Sequence, residues 1–418
     1  MSKFRCIGPD CEDHCCQGWR INLDVEDYGR LKSLKQKSAA VAESFDEAVM
    51  IRDDEACSQK MYAQFNFREQ DHRCFYEQQG LCVIHRDLGE AALPKTCATY
   101  PRKVQRFGHQ YELSGSLSCP EVARLCLLDP DAMTLGSSHW DLLPERIDLL
   151  GQNKNLGVYQ QNQGQLRDAF LQLMALHEPI ETRVFYCLYL ARQISSFFHA
   201  GMRQDPGKRL SRAIDRMLTD LYRDRIRSNF DDSQDPPSLA LGFVSLILFS
   251  DGKQQVRFHD LVQRIFSDFD GFDFQNIHLK DLDNIERPVQ QILAEYRRRK
   301  QTIHARFAGR VEGYFSNFCR NYWYQDLVGA SDNPLAYVRQ LILFFAVIKI
   351  LFYSHPDLAL IQDNPAQNTQ TLDRVVVEVV QTFMKAFTHN NSFKALIQEA
   401  LENQGLHDLA PMIALLKL

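Results

Sequence analysis

The distribution of cysteines places the strongest constraint on how this chain can fold. Ten of its twelve cysteines fall in the first 126 residues, and four of them stand close together in FRCIGPDCEDHCCQGW at residues 4–19. The opening MSKFRCIGPD lacks the apolar segment of a secretory signal, so we expect a cytosolic protein with reduced thiols. Clustered reduced thiols are typical of metal or redox chemistry.

The candidate metal ligands are eight cysteines. The opening motif reads C-x4-C-x3-C-C, and further cysteines stand in HRCFY, GLCVIH, KTCATYPR and SLSCPE. Glycine or proline near several of them allows tight turns whose N–H groups face sulfur. The predicted ligands are Cys6, Cys11, Cys15, Cys16, Cys74, Cys82, Cys97 and Cys119.

The remaining cysteines and the nearby histidines have simpler interpretations. Cys187 and Cys319 stand alone in apolar helical patterns, which favours a core position. Cys57 and Cys126 lack a motif and are interpreted as core or surface thiols. For the histidines near cysteines, a hydrogen-bonding role is favoured over ligation; these are His14, His72 and His85.

The spacing of the cysteines bears on which metal they would bind. Structural zinc sites usually contain paired C-x2-C knuckles, and this sequence has none. The pattern therefore favours an iron–sulfur cluster over zinc, with both left open.

Composition and hydrophobic periodicity predict a mainly α protein, with a helical bundle-like body and an irregular, cysteine-rich, metal-binding N-terminal region. At 418 residues and 45% apolar the chain can bury a large core, and its net charge of −5 argues against a nucleic-acid partner. Apolar residues recur at helical spacing from about residue 139 onward. We predict a metal-cluster domain at 1–130 and helical domains at 131–235 and 236–418, the last two separated near the break DDSQDPPSLALG.

Several local elements follow from the same patterns. Helices are expected within residues 24–50, and a hairpin is expected at 105–119. A long helical stretch should follow Pro288, and TLDRVVVEVVQTFMKAFTHN should form a helix capped by Thr371 or Asp373. LAYVRQLILFFAVIKILFY at 335–353 contains an arginine and a lysine that would be costly in a bilayer, so we expect a buried helix and no membrane span.

Three motifs in one order resemble the flagellin lysine-N-methylase family, a group of cysteine-cluster, zinc- or iron-chelating proteins. They are CxGxxCEDxCCxGW-like at 6–19, GxCxIHxxLGExxLPxTCxxYPR at 80–102 and SLSCPExxRL at 116–125. The resemblance is dense over roughly the first 125 residues and looser beyond, where RNYWYQDLV and FMKAFTHN also fit.

The resemblance implies a protein lysine N-methyltransferase that uses S-adenosylmethionine, acts on surface lysines of flagellin and carries a [4Fe–4S] cluster on cysteines of the eight named above. Radical chemistry is not expected, because in a C-x3-C-x2-C pattern started by Cys11 and Cys15 the third position falls on Gly18. No strand followed by a G-x-G loop marks a methyl-donor site, so the donor-binding and catalytic residues are not predicted.

Two further segments have the chemistry of substrate or donor contacts. Aromatic faces can hold a sulfonium or an ammonium, although core packing is the favoured interpretation of these four rings; they are Tyr314, Tyr322, Trp323 and Tyr324. The acidic run FSDFDGFDF at 266–274 could attract lysines, but a solvated loop is favoured. Two other functions stay open: a non-catalytic zinc- or iron-binding interaction module, and an electron-transfer or iron-handling protein.

Overall fold

The structure is a computed structural model of the whole chain. The residues it describes are 1–19, 21–55, 57–107, 110–137, 162–199, 206–232, 256–267, 286–325, 333–361, 365–388 and 409–418. Two compact units are present: Met1–Leu125 with Leu135–Leu150, and Cys126–Thr134 with Gly151–Leu418. We call them the cysteine-rich unit and the helical unit.

The cysteine-rich unit combines short helices with small antiparallel sheets. Its helices are α1 (Val25–Leu34), α2 (Ala39–Ala48), α3 (Val83–Leu88), α4 (Lys95–Thr99) and α5 (Pro120–Leu128), the last of which runs on into the helical unit. Its strands are β1 (Asn22–Leu23), β2 (Val49–Ile51), β3 (Ala63–Phe65), β4 (Glu77–Gln78), β5 (Leu81–Cys82), β6 (Arg102–Phe107) and β7 (Gln110–Gly115). The two helices expected within residues 24–50 are confirmed as α1 and α2.

Side-chain caps and strand pairing explain these elements locally. The Asp24 carboxylate accepts the Asp27 N–H at 2.7 Å and so starts α1, and Ser38 does the same for α2. The strand β3 lies between β1 and β2, with Gln64 opposite both Asn22 and Met50. The strands β6 and β7 pair antiparallel, which confirms the predicted hairpin; its tip, residues 108 and 109, lies outside the described residues.

The helical unit confirms the mainly α prediction. Its helices are α6 (Gln163–Met174), α7 (Ile180–His199), α8 (Pro206–Met217), α9 (Asp220–Asp231), α10 (Val256–Phe266), α11 (Glu286–Gln325), α12 (Pro334–Ser354), α13 (Pro365–Thr388) and α14 (Leu409–Lys417). Helix α12 packs against α7, α10, α11, α13 and α14, so it forms the centre of this unit. The long helix expected after Pro288 is α11, which bends at Phe307.

Helix α12 is the strongly apolar segment of the sequence. The Asn333 side chain accepts the N–H groups of Leu335 and Ala336 at 3.1 and 3.2 Å, and Pro334 occupies the first turn. By length and composition alone α12 could cross a membrane, but most of its side chains are buried against other helices of the described chain. A core helix, the interpretation made from the sequence, accounts for it.

Two local expectations were wrong or incomplete. Neither Thr371 nor Asp373 caps a helix, because α13 already begins at Pro365 and both residues lie inside it. The Asp373 carboxylate instead accepts from Arg310 on α11, at 2.6 and 2.9 Å. The helical periodicity found beyond residue 139 also does not mark the break between α8 and α9, where Thr219 precedes the first residue of α9.

Two other predictions lie largely outside the described residues. The boundary at 235/236, with most of DDSQDPPSLALG, falls there, and so does the acidic run beyond Ser267. Both therefore stay predictions.

Candidate functional site

Short main-chain pairings in the cysteine-rich unit bring several of the predicted ligand cysteines into neighbouring segments. The main-chain N–H of Cys74 donates to the carbonyl oxygen of Cys16 at 2.7 Å, and Gln17 bridges to Arg73. The opening motif is thereby joined to HRCFY, more than fifty residues later in the chain. Sequence spacing alone could not show this pairing.

A tight hairpin brings in Cys82. Gln79 and Gly80 connect β4 to β5, and both have positive φ values of 52° and 80°. Such a two-residue turn favours glycine, and here a Cβ at Gly80 would also lie 3.0 Å from the Cα of Pro9. The buried Glu77 carboxylate accepts the Gly80 N–H at 2.6 Å and pairs with Arg68 at 3.1 Å. The buried Glu77 side chain therefore stabilises the turn, and Cys82 lies two residues after Gly80 in β5.

Cys97 is positioned by an ion pair and a cap at the start of α4. The buried Asp27 carboxylate accepts the main-chain N–H of Lys95 at 3.2 Å. The ammonium of Lys95 donates to Asp24 at 2.6 Å. These bonds fix α4 to the start of α1, so Cys97 has a defined position although its helix has only five residues.

The thiols act on one another electrostatically. A hydrogen bond with Cys15, burial, and the charges of Cys15, Cys74 and Cys82 raise the pKa of Cys16. Burial followed by the charges of Cys82, Cys74 and Cys15 raises the pKa of Cys97 well above its ordinary value. We call these five residues the five-cysteine set; they are Cys15, Cys16, Cys74, Cys82 and Cys97.

A second set of cysteines lies beside Cys15. Burial raises the pKa of Cys119 to about 12, opposed by the main-chain N–H groups of Val122 and Glu121 and assisted by the charges of Cys11 and Cys15. Cys119 thus precedes α5 with its thiol facing the helix N-terminus, as Cys82 does before α3. Cys6 is exposed and lies outside both sets.

The sulfur donors of the five-cysteine set fit a thiophilic metal or an iron–sulfur cluster. All twelve cysteines are free, and several buried thiols influence one another's pKa. In the described part of the chain no three Cys, His, Asp or Glu side chains converge closely enough to hold an ion. Protonated thiols gain nothing from such convergence, whereas a bound cation lowers thiol pKa values and draws thiolates together.

The other candidates lie where the simpler interpretations put them. Cys187 and Cys319 are fully buried, Cys126 is buried and Cys57 is exposed. His72 and His85 are exposed and His14 is half-buried.

The aromatic run also behaves as core. Trp323 is stacked on Phe170 with ring centroids 4.3 Å apart, and Tyr322 donates to Gln340 at 2.9 Å. Tyr314 donates to Asp373 and is buried, while Tyr324 is half-buried. Core packing, favoured from the sequence for these rings, describes the three buried ones.

Sequence reasoning missed a buried ion pair in the helical unit. Lys349 on α12 is fully buried, and its Nζ atom lies 3.6 Å from Glu181 Oε1 at the start of α7. Burial lowers the pKa of Lys349 to about 7, against the favourable charge of Glu181. The available signal was a lysine within an apolar run, which was used only to argue against a membrane span.

Comparison with known proteins assigns the family. The family model described as FliB lysine N-methylase C-terminal domain matches residues 167–415, more than half of the chain. The chain belongs to this family. The resemblance inferred from the N-terminal motifs is thereby confirmed, on a different part of the sequence.

Curated relatives agree with this assignment. The flagellar biosynthetic protein FliU of Salmonella muenchen is 33% identical over 138 residues, which is 32% of this chain and 78% of the relative. Lysine-N-methylases of Salmonella typhimurium and Salmonella choleraesuis are 30% and 32% identical over 136 and 137 residues. These matches span 32% of this chain and only 33% of each methylase. No solved structure matches the chain.

Proposed function

We propose that this protein is a protein lysine N-methyltransferase that transfers methyl groups from S-adenosylmethionine to surface lysines of flagellin in the cytoplasm. The observation that carries the proposal is the family match over residues 167–415, joined by relatives named lysine-N-methylase. The name of the FliU relative supports a flagellar substrate.

We further propose a [4Fe–4S] cluster held by the cysteine-rich unit. Its ligands would come from the five-cysteine set, with Cys11 and Cys119 as the nearby additional thiols. Bound there, a cluster would supply strong thiolate–metal bonds that tie together short, irregular segments. Several elements of this unit are short, among them the strands β1 to β5 of two or three residues and the five-residue helix α4.

The chemistry required of the remaining residues is positioning and deprotonation. A lysine amine attacks carbon only when it is neutral and aligned with the methyl donor. The ordinary lysine pKa near 10.4 keeps it charged at neutral pH, so the protein must lower that pKa or accept the proton.

The direct test is methylation of purified flagellin by protein prepared without oxygen. We expect S-adenosylmethionine-dependent methylation of flagellin lysines, detected by mass spectrometry, and protein that contains iron and sulfide in near-equal amounts. Cys15→Ser and Cys97→Ser should lose iron and methylation together. Cys57→Ser is the matched control, since this exposed cysteine lies outside both sets of thiols.

Other results would replace parts of the proposal. Full methylation by iron-free protein would rule out a requirement for the cluster. Colourless protein with stoichiometric zinc, no binding of S-adenosylmethionine and no methylation would favour the non-catalytic interaction module. A brown protein that binds no S-adenosylmethionine would favour an electron-transfer or iron-handling role.

A further inference from the structure

The helical unit contains a cluster of ionisable side chains at a junction of four helices. Glu181 comes from the first turn of α7, Lys300 and His304 from α11, and Lys349 and Tyr353 from α12. The C-terminal end of α14 closes the junction, where the Leu416 carbonyl oxygen accepts from Lys349 at 2.6 Å. We call these five side chains the lysine–glutamate cluster. It lies within the segment that matches the family.

The position of Lys349 is costly for a purely structural residue. Its side chain is 1% exposed, on a helix whose neighbouring residues are apolar, and its ammonium lies 4.5 Å from the centre of the Phe345 ring. Burying a charged ammonium costs several kcal/mol, and a single hydrogen bond to a carbonyl does not offset that. A methionine or leucine would fill this position without the penalty.

A second lysine and a histidine lie in the same environment, which disfavours their protonated forms too. Lys300 is half-buried and donates to the main-chain oxygen of Leu418, and His304 Nε2 lies 2.5 Å from the Tyr353 hydroxyl. Burial lowers the pKa values of Lys300 and His304, and the charge of Lys300 lowers that of His304 further. The cluster thus favours neutral nitrogen bases over their charged forms.

The carboxylate of Glu181 joins the buried lysine to the outside. Its side chain is 21% exposed, whereas that of Lys349 is 1% exposed. Burial opposes its ionisation, but Lys349 and Lys300 together lower the pKa of Glu181, so it is an anion at neutral pH. An ammonium approaching from solvent therefore meets a carboxylate first, with the Lys349 nitrogen, neutral in about half of the molecules near pH 7, 3.6 Å behind it.

Among the described residues, charged side chains near the C-terminal end of α12 pair with one another. From α10 and α13, Arg264 and Glu378 pair with each other and lie 3.2 and 3.6 Å from the His355 ring just after α12. From α11, Cys319 is buried near Lys349 and, as a thiolate, would raise the lysine's pKa. The group that bridges Lys349 to solvent is thus Glu181.

We propose that Glu181 and Lys349 form a proton relay that deprotonates the lysine to be methylated. This inference rests on the proposed function and assigns a site to its deprotonation step. Glu181 accepts a proton as one N–H bond of the substrate ammonium breaks, and the neutral Lys349 amine then takes that proton from the Glu181 carboxyl group. The substrate amine is left with a free electron pair for the methyl group, and Lys349 becomes an ammonium.

Charge balances at each stage of this relay. The positive charge of the substrate passes to Lys349, and Glu181 begins and ends as a carboxylate. Between turnovers Lys349 returns the proton to water through Glu181, which has the solvent-exposed edge. Glu181 is then a catalytic residue that touches the substrate, and Lys349 is the internal proton acceptor.

The first test is the pH dependence of kcat/KM for flagellin methylation by the cluster-loaded protein. The relay needs neutral Lys349, so the wild-type rate should rise with pH and level off above about pH 7. In Lys349→Met the rise should move toward the pKa of a free lysine, and the rate at pH 7 should fall about 100-fold or more, the usual contribution of a general base. Glu181→Gln should lose a similar factor, mainly in kcat.

The matched control is Lys385→Met, which removes a buried lysine of α13 outside the lysine–glutamate cluster. It should keep the wild-type pH profile. A second measurement does not depend on activity: with lysine side chains labelled with carbon-13, NMR should show one resonance that titrates near pH 7 in the wild type and is missing in Lys349→Met. This NMR titration still tests the pKa of Lys349 if Glu181→Gln fails to fold.

The outcomes distinguish failure of the proton relay from failure of the proposed methyltransferase function. Methylation by the wild type with an unchanged profile in Lys349→Met, or a Lys349 resonance that titrates near the ordinary lysine pKa, overturns the relay and leaves the function standing. Absence of methylation in the cluster-loaded wild type overturns the proposed function and the relay with it.

Discussion

The burial of Lys349 predicts how the stability of the protein depends on pH. Its pKa is about 7 in the folded protein, compared with 10.5 for an ordinary lysine. Between these two values the unfolded state binds a proton that the folded state does not. The free energy of unfolding therefore rises with pH across this interval and is lowest below pH 7, where the lysine is charged in both states.

The magnitude follows from the size of the interval. At about 1.4 kcal/mol per pKa unit, the difference between 10.5 and about 7 corresponds to about 5 kcal/mol. Solvent screens this charge very little, because the Lys349 side chain is 1% exposed. The slope should be about 1.4 kcal/mol per pH unit from pH 7 upward.

The perturbation is Lys349→Met, which keeps the length of the side chain and removes the titration. The assay is urea unfolding of wild type and variant at several values between about pH 6 and pH 9.5, followed by circular dichroism. Groups that do not interact with Lys349 contribute equally to both proteins, so the pH dependence of the difference in unfolding free energy reports Lys349 together with Glu181 and His304, whose pKa values its charge lowers. The advantage of the variant over wild type should shrink by about 2 kcal/mol between pH 7 and pH 9, because Lys349 is already half titrated at pH 7.

A difference in stability that does not change with pH would refute this reasoning. It would mean that Lys349 keeps an ordinary pKa and that water reaches it despite the packing of α12. The proton relay would then lose its acceptor as well.

Three further substitutions test the packing and local geometry. Trp323→Ala removes the ring stacked on Phe170 and should lower the free energy of unfolding by about 3–5 kcal/mol, measured by urea unfolding. Asn333→Ala removes both side-chain bonds at the start of α12 and should cost about 1 kcal/mol in the same assay; no change would show that the cap is dispensable. Gly80→Ala places a Cβ 3.0 Å from the Pro9 Cα at a φ of 80°, so we expect a loss of about 1–2 kcal/mol and less bound iron per chain, whereas wild-type iron content and stability would contradict the role given to this turn.

The helical half of the fold was predictable because its cause is local. Apolar residues at helical spacing define α6, α7 and α11, and the Asn-Pro pair at 333–334 defines the start of α12. Where the determinant was a distant partner, prediction failed: Asp373 seemed suited to cap a helix but bonds to Arg310, sixty-three residues away.

In the cysteine-rich unit, the sequence identified the residue types but not their grouping. The strand pairing of residues 16 and 17 with 73 and 74, and the turn at Gly80, bring Cys15, Cys16, Cys74 and Cys82 together. Cys6 and Cys15 belong to the same opening motif and are both exposed, yet it is Cys15 whose charge acts on the buried thiols of Cys74 and Cys97. Spacing along the chain does not specify these long-range pairings.

By itself, the sequence determined that this protein has a helical body, reduced clustered thiols and a place in the lysine methylase family, because composition, periodicity and motif order are properties of neighbouring residues. The tertiary structure alone decided which thiols influence one another's pKa and that Lys349 faces Glu181. The pKa of Lys349 arises from burial between helices whose residues lie far apart in the chain, and no pattern around residue 349 carries that information.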